Sequence, residues 1–79
     1  MEIEAKLKQI FSEVFNVPVS MISESTEQKM LNEWDSLGQL RLIMTIEESF
    51  DVSFSIDEIE SLSNFQVILQ NLTDKLSNN

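Results

Sequence analysis

The stretch Asn32-Glu33-Trp34-Asp35-Ser36-Leu37-Gly38-Gln39-Leu40 sets a serine directly after an aspartate, where a polar loop gives way to an apolar-periodic segment. A serine hydroxyl is a weak nucleophile without an adjacent base. The chain has no His and no Cys. A self-contained Ser–His or Cys–His centre, a thiol nucleophile, a disulfide and a zinc-thiolate site are therefore excluded. Ser36 cannot act as a catalytic nucleophile alone, but it can be a substrate for which another enzyme supplies the base. A phosphate ester there would sit at a helix N-terminus, where unpaired N–H groups and the dipole favour an anion. Gly38 has no side chain to obstruct that approach. A plainer role fits the same residues. Ser36 can cap its helix with Gln39 at the capping-box position, or Asp35 can cap and leave Ser36 as the first helical residue.

Other candidates are weaker. Asp51, Ser53, Ser55 and Asp57 are spaced like the early ligands of a calcium loop, but Ile56 stands where the loop needs Gly and Leu62 where it needs a bidentate Glu. No dedicated metal site is expected, only loose cation binding to Glu47, Glu48, Asp51, Asp57, Glu58 and Glu60. Asn71-Leu72-Thr73 matches the glycosylation pattern inside an expected helix and is read as chance.

The 79 residues point to one small domain, 1–79, with a modest core and no room for a deep enclosed active site. Fourteen acids against five bases give a net charge of −9. Nucleic acid and anionic membranes are not expected partners, because phosphate contacts need Lys and Arg. Basic patches on other proteins are, since such a charge raises association rates; solubility is the simpler explanation. The opening MEIEAKLKQI has no apolar run of signal-peptide length, and no segment approaches the ~20 apolar residues of a membrane span. A cytoplasmic monomer is expected.

The elements that must position Ser36 are helical. Ile3, Leu7, Ile10, Phe11, Val14 and Phe15 recur at helical spacing, and Asn16 with Pro18 ends that helix. Residues 17 to 35 form a loop of unusual length for so small a domain, with scattered apolar residues that predict it packs down on the helices, and a helical turn near Glu27 to Leu31. From Ser36 to Phe50 the apolar residues span over half a helical wheel, which predicts burial against several neighbours, with Leu37 and Met44 at the edge. Asp51 to Phe54 connects, with Val52 and Phe54 plugging the core. Ser55 and Glu58 form a capping box opening a short helix with Ile56, Ile59 and Leu62 inward. A second box at Ser63 to Gln66 opens a last helix through Phe65, Ile68, Leu69, Leu72 and Leu76, with a frayed tail. The expected fold is all-α, a small four-helix bundle of three long helices and one short, with a long loop between helices 1 and 2.

On these elements the chain resembles the acyl carrier proteins over nearly its whole length. The likeness rests on Asp35-Ser36-Leu37 at the start of the second helix. It continues through Leu40, Met44, Ile46-Glu47-Glu48 and Phe50-Asp51, then the helices from Ile56 and Phe65. The resemblance implies a carrier, not an enzyme. A phosphopantetheinyl transferase would move 4′-phosphopantetheine from coenzyme A onto the Ser36 hydroxyl, and acyl groups would ride on the arm's thiol between biosynthetic enzymes. It further implies that Asp35 orients the transferase and its metal-bound coenzyme A, and that Leu37 and Met44 are docking points. Leu40 and Arg41 share that face, and Glu47, Glu48, Asp57 and Glu60 would meet basic partner patches. In many carriers the core also shelters the acyl chain. Trp34, Gly38 and Arg41 depart from the fatty-acid-synthesis pattern and are similar to carriers of specialised pathways, such as modified sugars, polyketides or unusual lipids. A peptidyl or aminoacyl carrier, and an acidic adaptor without a prosthetic group, remain alternatives.

Overall fold

A computed structural model describes residues 2–77. Four α-helices lie among them: α1 (Glu2–Phe15), α2 (Ser36–Phe50), α3 (Ile56–Ser61) and α4 (Phe65–Ser77). No β-strand pairs occur beyond one isolated bridge, Glu27 with Asn64, among the described residues. The all-α bundle read from the periodicity is therefore present. The expected frayed tail is helical at Ser77; Asn78 and Asn79 lie outside the described residues.

Each helix end has a local cause. Asn16 takes a left-handed backbone (φ 55) directly after α1, a conformation asparagine tolerates. Asp51 does the same after α2, with its N–H on the Glu47 carbonyl. Ser55 and Glu58 cap α3 reciprocally, as expected: the Glu58 N–H donates to Ser55 Oγ (3.2 Å) and the Ser55 N–H to Glu58 Oε1 (2.7 Å). The expected box at Ser63 does not form. Asn64 caps α4 through Oδ1, accepting from the Val67 N–H at 2.8 Å, while the Ser63 carbonyl accepts from the Gln28 N–H of the long loop. Asn71 donates its side-chain amide to the Val67 carbonyl within α4.

The core is an aromatic cluster on an aliphatic base. Phe11 meets Phe15, Trp34 and Phe65 edge-on, with centroids 5.1–5.7 Å apart, and Phe15 stacks on Trp34 at 5.4 Å. Such pairs add about 0.5–1.5 kcal/mol each beyond their buried area. Leu7, Leu42, Ile46, Leu62, Ile68 and Leu72 fill the space around them.

The long loop packs down, as its scattered apolar residues predict. It contains 3₁₀ turns at Val19–Met21 and Gln28–Met30, and it buries Ile22, Thr26 and Trp34. Two backbone hydrogen bonds, Gln28 N–H to Ser63 O and Phe65 N–H to Thr26 O, fasten it to the α3–α4 junction.

The helical wheel alone set Leu40 inside the apolar arc of α2, while the resemblance set it on the docking face. It is 54% exposed, in line with the second reading, whereas Ile56, turned inward on α3, is a failed expectation at 77% exposed. At six residues, α3 is too short to cover the flank of α2. Periodicity marks an apolar arc but does not say how much of it a neighbour reaches. Phe50 is also only half-buried, with the Lys6 ammonium 4.9 Å above its ring.

Candidate functional site

Ser36 stands at the first turn of α2, and the neighbouring aspartate decides its state. Asp35 is the N-cap: its Oδ1 accepts the Gly38 N–H at 2.8 Å. Of the two caps the sequence left open, the structure takes Asp35, and the box between Ser36 and Gln39 does not form. Ser36 is the first helical residue, it is exposed, and its hydroxyl has no hydrogen-bond partner among the described residues. The N–H groups of Ser36 and Leu37 have no intrahelical acceptor, because the ladder begins with the Gln39 N–H on the Asp35 carbonyl (2.8 Å). A free hydroxyl with unpaired N–H groups at the positive end of a 15-residue helix fits a phosphodiester.

Gly38 serves a different purpose from the one inferred from its sequence position. It is buried and faces away from the hydroxyl's surroundings, toward the loop and α1. A Cβ there would lie 2.1 Å from the Glu33 carbonyl oxygen and 3.1 Å from Phe15 Cε1. Glycine lets the last residues of the loop close tightly over the start of α2, and this close approach fixes the backbone leading into Asp35 and Ser36.

Gln39 was read only as a possible box residue. Its amide in fact joins three parts of the molecule. Oε1 accepts from Trp34 Nε1 (2.5 Å), and Nε2 donates to the carbonyls of Ile59 (3.1 Å) and Leu62 (3.0 Å) at the end of α3. The available signal was Trp34: a buried indole needs an acceptor for its N–H, and of the neighbouring amides Asn32 and Gln39 the structure uses Gln39. Beside Ser36 a groove of about 350 Å³ is lined by Gln39, Leu40, Ile59 and Leu62 together with Gln28 and Glu60.

Along the outer side of α2, Leu37, Leu40 and Met44 are 66%, 54% and 59% exposed and follow one another at helical spacing, beginning beside Ser36. Arg41 lies between them. Its guanidinium donates to the Val14 carbonyl of α1 (3.2 Å). Arg41, Met44 and Glu48 line a second groove, of about 420 Å³, with Glu13 and Val14. Glu47 is half-buried and already engaged, accepting the Phe54 N–H at 2.9 Å and so bracing the α2–α3 connection. Glu48, Asp57 and Glu60 are exposed. Glu58 binds Lys75 at 2.8 Å, and that hydrogen bond, then the one from the Ser55 N–H, hold its carboxyl below the usual carboxylate range.

The comparisons with known proteins agree with this geometry. The family described as "Phosphopantetheine attachment site" matches residues 5–72. The acyl carrier protein of Buchnera aphidicola subsp. Schizaphis graminum is 33% identical over 73 residues, 92% of each chain. That of Thermosynechococcus vestitus is 34% identical over 77 residues, 96% of this chain and 94% of its own. The solution structure of the holo acyl carrier protein from Geobacter metallireducens superposes with a TM-score of 0.87 at 26% identity, covering 99% of this chain and 90% of that one. The chain belongs to the acyl carrier family, whose members bear a covalent 4′-phosphopantetheine. It is thus a carrier that interacts with biosynthetic enzymes, not an enzyme itself, and the adaptor without a prosthetic group is set aside. None of the helices is long and apolar enough to cross a membrane, among the described residues.

Proposed function

We propose that Ser36 Oγ is the attachment point of the arm, and that the residues around it form the surface presented to partner enzymes. The observation that carries this is the division of labour at the start of α2: Asp35 takes the capping role and leaves the Ser36 hydroxyl exposed and unpartnered. Asp35 keeps the helix start rigid and, as an exposed carboxylate beside the reacting hydroxyl, is placed to meet a transferase and its metal-bound coenzyme A. The base that takes the Ser36 proton comes from the phosphopantetheinyl transferase, since the chain has no histidine of its own. When bound, the arm supplies the thiol on which acyl groups travel as thioesters.

Leu37, Leu40 and Met44 make the apolar centre of the docking surface. Arg41 adds a cation within it, and Glu48, Asp57 and Glu60 offer charges to basic patches. Glu47 contributes less, because the Phe54 N–H already holds its carboxylate. The unit works as one carrier domain spanning 1–79 and as a monomer, and the absence of cysteine fits a reducing cytoplasmic setting. Trp34, Gly38 and Arg41 point to a specialised pathway rather than bulk fatty-acid synthesis.

Incubation of the purified chain with coenzyme A and a broad-specificity phosphopantetheinyl transferase tests the attachment. Intact mass should rise by one phosphopantetheine. An unchanged mass on a folded protein would overturn the reading.

A further inference from the structure

We propose that Gln39 locks the passage between α2 and α3, so that this carrier's cargo stays outside the core and belongs to the short or polar acyl groups, aminoacyl groups included. The proposal rests on Ser36 as the attachment point. Gln39 lies one turn after Ser36 on α2, and the groove beside the hydroxyl leads to it. Both of its amide N–H donors are used across the gap, on Ile59 O and Leu62 O, and its oxygen holds the indole N–H of Trp34. Trp34 is 2% exposed and wedged against Phe15 and Phe11, so it cannot follow a moving Gln39 without disturbing the aromatic cluster.

An alkyl chain entering the core from Ser36 has to part α2 from the end of α3. It would strand the Trp34 N–H and the Gln39 amide in apolar surroundings, where unpaired polar groups are strongly disfavoured. Leu62, which lines the groove, is fully buried, so an entering chain would also displace packed side chains. The groove outside the bridge is lined mostly by apolar surface from Leu40, Ile59 and Leu62, so it is the Gln39 bridge that bars a hydrocarbon from the core.

The test loads the full chain with butyryl-, octanoyl- or dodecanoyl-phosphopantetheine, using the corresponding acyl-coenzyme A and the same transferase, and verifies each product by intact mass. Hydroxylamine then attacks the thioester carbonyl, releasing the acyl hydroxamate and the free thiol, and the rate reports how exposed the thioester is. In the natural chain the rates should agree within about twofold, because no cargo is sheltered. In Gln39→Leu, or Gln39→Met should the first not fold, the dodecanoyl form should react about tenfold more slowly than the butyryl form, as the lost hydrogen bonds no longer hold the passage shut. The indole N–H resonance of Trp34, the single tryptophan, should keep one position in all loaded forms of the natural chain. Tenfold protection of dodecanoyl in the natural chain, or an indole resonance that moves with chain length, overturns the proposal. Rates that stay flat in the variants too remove Gln39 from it. A chain that gains no mass sinks the attachment itself and the lock with it.

Discussion

Ser36 and Ser55 both stand at the start of a helix, yet the molecule uses them differently. Ser55 is the N-cap of α3, and its hydroxyl is occupied by the Glu58 N–H while Glu58 returns the bond to the Ser55 N–H. Ser36 is one position further in. Asp35 has taken the cap, and the hydroxyl is exposed without a partner. A capping serine is a structural part whose oxygen is already engaged. A serine displaced by one residue keeps the favourable field of the helix N-terminus and has its oxygen to offer. The two sites differ by a single step of register.

The largest effect expected from breaking this comparison is at Ser36. Ser36→Ala should abolish loading by the transferase, read by intact mass, while urea denaturation shows a stability change within about 0.5 kcal/mol. A clear loss of stability would mean that Ser36 caps after all. Next comes Gly38→Ala. Alanine favours the helix by about 1 kcal/mol, but its Cβ would collide with the Glu33 carbonyl, whose backbone must move. A net destabilisation of about 1–3 kcal/mol is expected, with slower loading as Asp35 and Ser36 shift; a stabilised variant would contradict the close approach. Asp35→Ala and Ser55→Ala should each remove about 0.5–2 kcal/mol, since each is the true cap of its helix. Equal costs for Asp35→Ala and Ser36→Ala would erase the distinction between the two sites.

The smallest effect concerns Glu58 and depends on pH. Its carboxyl titrates below its ordinary value because Lys75, and then the Ser55 N–H, favour the charged form. A depressed folded-state value means that the stabilisation is complete above the unfolded-state value and is lost as pH falls through the folded one. Glu58→Gln keeps an oxygen for the Ser55 N–H but loses the ion pair. The stability gap to the natural chain should be widest near neutral pH and close on acidification; a gap independent of pH would remove Lys75 from the account.

The two sides of α2 sharpen what sequence patterning resolves. Leu42, Ile43 and Ile46 are buried, whereas Leu37, Leu40 and Met44 stay exposed although all belong to one apolar arc. The arc's edge at Leu37 and Met44 was legible from helical geometry. The exposure of Leu40 was not, because it depends on where the six-residue α3 stops. Likewise Glu47 reads as a free surface acid until the backbone of Phe54 is seen to fold onto it.

By itself the amino-acid sequence determined the four helices, the packed-down loop, the α3 capping box, the acidic character and the lack of any histidine or cysteine beside Ser36. These follow from periodicity, capping chemistry and composition, all of which act over a few neighbouring residues. Tertiary structure alone decided that Asp35 caps in place of Ser36, that Gly38 lies under Glu33 and Phe15, and that Asn64 starts α4. It also gave Gln39 its partners at Ile59 and Leu62, 20 and 23 residues away. Each of those choices is between local options of similar energy, and contacts between distant parts of the chain settle it.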